Sequence, residues 1–188
     1  MLKVCFLLDC THSMKNCMDT CKLTITNILE DLCIQYPNHD VYASLIGYRD
    51  FGEKIHRVDF TKQHQYIYDE LSYIDASDGE DQAEDISSAY AWANVLDWNA
   101  DIKLAYHFAD APEHGLKFHD KTVTDNYPNG NPLFDFLEEI NEFSNNNVDL
   151  TVFKINKSTN IMYSWMNKIY NNKKFRIHKL LDLNPTLN

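Results

Sequence analysis

No cysteine occurs after residue 33: Cys5, Cys10, Cys17, Cys21 and Cys33 are the whole set. An odd number crowded into one end does not make a disulfide framework, so a reducing, cytoplasmic setting is expected. Cys17 and Cys21 stand one helical turn apart, but no second Cys pair or Cys-His pair completes a soft-metal site around them. Basic residues are also short, 17 against 28 acidic, for a net charge of −11. That balance argues against a nucleic-acid backbone or an anionic membrane surface as partner. The chain has no Gly-rich phosphate loop and no His-x-x-x-His helix. A nitrogen-rich zinc site built from His12, His114 and His119 thus lacks a supporting spacing. No stretch approaches membrane-spanning length, and the apolar run after Met1 ends at Asp9 without a cleavage pattern, so neither membrane insertion nor a leader peptide is expected.

What is present is the material of a globular core. Hydrophobic residues make up 44% of the 188, with 11 Tyr, 10 Phe and 3 Trp. That length suits a single domain over residues 1–183, followed by a short tail at 184–188. Val4 to Leu8 is an unbroken apolar run of strand length, the pattern of a central strand covered on both faces. Asp9 ends it, and Thr11 and Ser13 follow at alternate positions before a helical pattern begins. A carboxylate and two hydroxyls therefore lie at the carboxyl end of a buried strand, where open α/β sheets bind ligands. The plain alternative is a turn residue followed by a helix N-cap.

Along the chain, Ser13 to about Tyr36 reads as the first helix, stopped by Pro37. Asp40 to Asp50 reads as a strand, and Ile55 to Phe60 as its antiparallel hairpin partner. A short helix is expected within Thr61 to Ile74, and a longer one from about Ala83 to Trp98 after an acidic loop at 75–85. Ile102 to Ala109 is a further buried strand, residues 116 to 130 an irregular loop, and Pro132 to about Phe143 a helix. Val148 to Ile155, Ile161 to Tyr170 and Phe175 to Leu181 complete the series as strand, helix and strand. This alternation predicts an α/β fold: a doubly wound, mostly parallel six-stranded sheet, one antiparallel edge strand, and helices on both faces.

In such a sheet the ends after Leu8 and Ala109 share one edge, so Asp9 and Asp110 can face each other. Two carboxylates that close repel, and a divalent cation, a shared proton or a pair of helix caps would each resolve the conflict. Asp50 is either a further ligand or the partner of Arg49 beside it. His114 is expected to orient its loop by bonding backbone.

Asp9-x-Thr11-x-Ser13 resembles the Asp-x-Ser-x-Ser signature of von Willebrand factor A domains, the core of their metal-ion-dependent adhesion site. Gly47-Tyr48-Arg49-Asp50, the Gly79-to-Glu84 loop and Ala109-Asp110-Ala111-Pro112-Glu113-His114-Gly115 are similar to motifs of the A domains associated with alpha-kinases. Over essentially the whole chain, the resemblance implies a Rossmann-like fold. It also implies a cation, Mg²⁺ (or Mn²⁺ or Ca²⁺), on Asp9, Thr11, Ser13, Asp81 and Asp110. These oxygen donors suit a hard ion. Asp81 stands where integrin-like A domains carry threonine, and Glu80 where glycine is frequent, so the site should hold metal firmly and attract a partner carboxylate weakly.

The function implied is a non-enzymatic, divalent-cation-dependent binding module for a protein ligand, engaged through an acidic side chain. With no room for a kinase domain after Leu183, an alpha-kinase would lie on a longer parent polypeptide or a separate chain. Two other readings stand beside it. One is a Mg²⁺-dependent hydrolase or phosphotransferase with Asp9 as nucleophile, although Thr11 stands where such enzymes want a second Asp and Lys103 is at the wrong end of its strand. The other is a scaffold whose metal site has decayed.

Overall fold

The computed structural model describes residues 1–171 and 174–180. Six strands form one sheet: β1 (Leu2–Asp9), β2 (Val41–Tyr48), β3 (His56–Thr61), β4 (Ile102–Ala109), β5 (Asp149–Lys154) and β6 (Phe175–Lys179). Their spatial order is β3-β2-β1-β4-β5-β6, with every pairing parallel except β2 with β3. The mixed sheet and its one antiparallel edge are those expected. The Leu181 end of the last expected strand, and the boundary expected at 183, lie outside the described residues.

All eight residues of β1 are buried, because both faces of the strand are covered. Cys5 and Leu7 enter a core shared with α3 (Ile86–Asn94), α4 (Phe136–Asn145) and α5 (Asn160–Ile169). Leu2, Val4, Phe6 and Leu8 point the other way, against α1 (Met18–Gln35) and α2 (Gln65–Tyr73). Period-two alternation along one apolar strand thus feeds two separate cores, which is what doubly wound packing requires. One polar cluster sits within the first core: His107 of β4 lies between the Tyr48 hydroxyl (2.7 Å) and the Tyr90 hydroxyl (3.1 Å).

Strand order reverses between β1 and β4, so the connections leaving these two strands run to opposite sides and open a crevice at their carboxyl ends. Gly47, near the end of β2, lies under this edge. A Cβ there would come within 3.0 Å of Cys10 Sγ and 3.2 Å of both His56 Cβ and Ile74 Cδ1, so only hydrogen fits without displacing neighbours.

Several element boundaries differ from expectation, each for a local reason. The first helix is interrupted: a 3-10 turn spans His12–Asn16, and the α-helix starts at Met18. Thr11 has extended backbone at the head of that turn, and its hydroxyl caps nothing in it. α3 starts at Ile86, not near Ala83, because Asp85 is its N-cap and accepts from Ser88 N. α3 also ends at Asn94, short of Trp98, and just beyond it Leu96 is buried while Val95 is 68% exposed. α4 starts at Phe136, four residues after Pro132, because Asp135 accepts from the amides of Leu137 and Glu138.

Candidate metal centre

Asp9 is the last residue of β1 and fully buried. Its Oδ1 accepts from the Thr11 amide (3.0 Å) and the Thr11 hydroxyl (2.6 Å). Thr11 Oγ1 lies 3.1 Å from Ser13 Oγ, and Ser13 Oγ donates to Asp110 Oδ1 at 2.7 Å. The extended Thr11 backbone throws the side chains at 9, 11 and 13 into one line, and the parallel register of β1 with β4 brings Asp110 to its end. Four of the five expected residues thus line up across the crevice, Thr11 giving its hydroxyl proton to Asp9 and Ser13 giving its own to Asp110, with the two hydroxyl oxygens side by side.

The electrostatics of this row are unresolved by the protein itself. Asp9 Oδ2 is buried and has no hydrogen-bond partner among the described residues. Burial, then the neighbouring Asp110 charge, push the Asp9 carboxyl up to about 7. Burial also raises Asp110, against the lowering effect of the Ser13 hydroxyl.

Asp81 stands apart from the row. Its Oδ1 accepts from Ala83 N at 3.0 Å and its Oδ2 from Asn126 N, so both oxygens hold loop backbone. It lines the same cleft as Ser13 and Asp110, a space of about 330 Å³ also bounded by Glu84, Asn156 and Ser158. Among the described residues, no lysine or arginine lines that cleft.

Glu84 is the residue at this edge that sequence reasoning left without a role. It is 2% exposed, and its Oε2 is buried without a partner. Burial, then the charges of Asp9 and Asp50, raise its carboxyl to about 10, with the nearby Thr11 hydroxyl acting in the opposite direction. The signal was present, since Glu84 closes the Gly79-to-Glu84 motif, but nothing in linear spacing said that its side chain turns inward.

Asp50 pairs not with Arg49 but with His114. Arg49 donates instead to the carbonyls of Cys10, Ser77, Lys54 and Asp75, tying the first and second loops together. His114 does not bond backbone through its ring: Nε2 reaches Asp50 Oδ1 (2.8 Å) and Nδ1 reaches Asp125 Oδ1 (2.9 Å). Asp125 also takes His119 Nε2 (3.0 Å) and the amides of Gly115 and Tyr127. No sequence signal marked Asp125, which lies in the irregular loop.

Asp50, Asp81 and His114 each bring one ligand-capable atom within 4.8 Å of the others. An imidazole held by a carboxylate at each nitrogen donates from both and has no lone pair left for a metal. Burial opposes the charge on His114, but the hydrogen bonds to Asp50 and Asp125 outweigh it and raise the ring to about 9. The cluster is therefore a buried ionic strap across three loops.

A pH prediction follows from the strap. The folded value lies above the ordinary 6.5, so the stabilisation is full below pH 6.5 and is lost as pH rises through 9. Its size is on the order of 3 kcal/mol. In thermal melts between those limits, wild type should lose stability more steeply than His114→Gln. Parallel curves would show that the ring is not held charged.

No family model matches the chain. It is 29% identical over 143 residues to the alpha-protein kinase vwkA of Dictyostelium discoideum, a match covering 72% of this chain and 23% of that protein. The chain thus spans about a quarter of the length of this relative. Among solved structures, the SpRpn10 VWA domain superposes with a TM-score of 0.65 at 11% identity, over 97% of this chain and 93% of that one. The pilus adhesin SpaC of Lactobacillus rhamnosus GG gives 0.65 at 14% identity, over 95% and 28%. Proximal thread matrix protein 1 of the mussel byssus gives 0.65 at 11%, over 98% and 43%. Sheet order, the acidic crevice where that order reverses, and superposition over nearly the whole chain establish that this protein has the von Willebrand factor A fold.

Proposed function

We propose that the protein is a binding module that engages a protein partner through a divalent cation, Mg²⁺ or in its place Mn²⁺ or Ca²⁺, held at the β1–β4 crevice. The observation that carries this reading is the buried, unpartnered Oδ2 of Asp9, in a carboxylate facing Asp110 with no basic side chain beside it. Asp9, Thr11, Ser13 and Asp110 are all oxygen donors, as a hard cation prefers, and they already converge. Asp81 lies at the rim of the cleft, where it would act on the cation from the outer side. When bound, the ion offsets the Asp9–Asp110 repulsion and offers an open coordination position to a partner's oxygen.

The open cleft above these residues supplies the space for a partner side chain. The hydrolase reading finds less support. Lys103 is the second residue of β4, near the edge opposite the crevice, and its ammonium bonds the Asn146 carbonyl. A phosphoryl group in the cleft would meet carboxylates and no cationic side chain.

Affinity capture with the full chain tests the proposal. Partner recovery should depend on Mg²⁺ and be lost in chelator, and Asp110→Ala should lose it in Mg²⁺ as well. Recovery that ignores chelator would leave the crevice without a part in binding.

A further inference from the structure

We infer that Glu84 is an additional ligand of the cation, which makes this a centre of three inward-facing carboxylates. The inference deepens the proposed function and rests on it. Its starting point is how the fold fixes the residue. Glu84 N donates to the Pro112 carbonyl (2.9 Å) and His114 N to the Glu84 carbonyl (3.4 Å), so Glu84 pairs in a parallel bridge with Glu113. The next residue, Asp85, caps α3. Held on both sides, the backbone leaves the Glu84 side chain to run beside Thr11 and Gly79 into the cleft bounded by Ser13 and Asp110.

The side chain arrives with an oxygen that none of the described residues satisfies. Glu84 is 2% exposed and its Oε2 has no donor. Arg49 is the nearby guanidinium, but its donors are directed at four backbone carbonyls. Keeping a proton on Glu84 removes one charge, but it leaves the repulsion between Asp9 and Asp110 in place. A hard cation held by both Asp9 and Glu84 would give each orphaned oxygen a partner. Asp81 contrasts with this, since each of its oxygens is already used by a loop amide. Of the two second-loop acids that line the cleft, Asp81 and Glu84, Glu84 is the one with an oxygen that accepts no hydrogen bond among the described residues.

A consequence concerns the partner. Three carboxylates more than offset a doubly charged ion, so a partner carboxylate is drawn less strongly than it would be to a site with neutral second-loop donors.

Titration calorimetry with Mg²⁺ and Mn²⁺ on the full chain tests the assignment, with Asp9→Asn, Asp81→Asn and Glu84→Gln beside wild type. Glu84→Gln keeps the shape of the side chain. It should weaken cation affinity at least tenfold, because a neutral amide replaces a group that can ionise against the ion. Asp81→Asn should change affinity less than threefold. If Glu84→Gln binds like wild type while Asp9→Asn does not, the Glu84 assignment is wrong and the proposed site survives. If wild type itself takes up no cation, the site reading fails and Glu84 with it. Carboxyl carbon shifts of the wild-type chain need no variant: Glu84 should move together with Asp9 and Asp110 as Mg²⁺ is added. A stationary Glu84 signal overturns the assignment.

Discussion

Asp9→Asn should make the metal-free chain more stable and, at the same time, abolish its stabilisation by divalent cation. The two effects have one origin. Asn keeps the acceptor that Thr11 uses through its amide and hydroxyl. It replaces the unpartnered Oδ2 with an N–H₂ that can donate toward the neighbouring carboxylates. Removing a buried, repelled charge should raise metal-free stability by on the order of 1–3 kcal/mol. In wild type, a cation at about 100 times its dissociation constant adds roughly 2.7 kcal/mol if the unfolded chain does not bind it. For a chain of this size that is a rise in melting temperature of roughly 5–10 °C, absent in the variant. Calorimetric melts with and without Mg²⁺ check both halves. A variant that still gains stability from Mg²⁺ would place the cation elsewhere.

His107→Leu should be among the most damaging single changes in the protein, though it lies outside the crevice. His107 is fully buried in β4 and bridges Tyr48 and Tyr90, hydroxyl to ring nitrogen on each side. Burial lowers the imidazole to about 3, so the ring is neutral, one nitrogen donating and the other accepting. Leucine leaves two buried hydroxyls without partners, each costing about 1–3 kcal/mol. It also removes the edge-to-face packing of the ring on Tyr90, whose centroid lies 5.5 Å away. A total loss of roughly 3–5 kcal/mol is expected, read from urea unfolding midpoints at constant slope. Adding Tyr48→Phe and Tyr90→Phe should restore much of it, because the orphaned hydroxyls are gone. A loss below about 1 kcal/mol would mean the hydroxyls find other partners.

The architecture was legible because its signals are local. The Val4-to-Leu8 run could only be a strand covered twice, and alternating strand and helix patterns admit few topologies. Element ends were less legible: the starts of α3 and α4 are set by Asp85 and Asp135 side chains competing with other capping residues nearby. Asp9, Thr11, Ser13 and Asp110 were named from pattern and resemblance, and the fold joins them by hydrogen bonds. Asp81 was named by motif position, and the fold sets it on the rim with its oxygens engaged.

By itself, the sequence determined the sheet, its two cores and the acidic strand ends, because period-two and helical patterns are written in neighbouring residues. Tertiary structure alone decided which acidic groups are left without partners. Hydrogen-bond satisfaction depends on every donor within a few ångströms, and those donors come from residues far apart in the chain. Arg49 sits next to Asp50 in sequence yet bonds four carbonyls, while Asp50 finds His114, 64 positions on. His114 in turn finds Asp125. With these cations and donors committed elsewhere, Asp9 and Glu84 are each left with one buried oxygen that no described residue satisfies. No linear spacing records that outcome, because it is set by which donors the loops have already used.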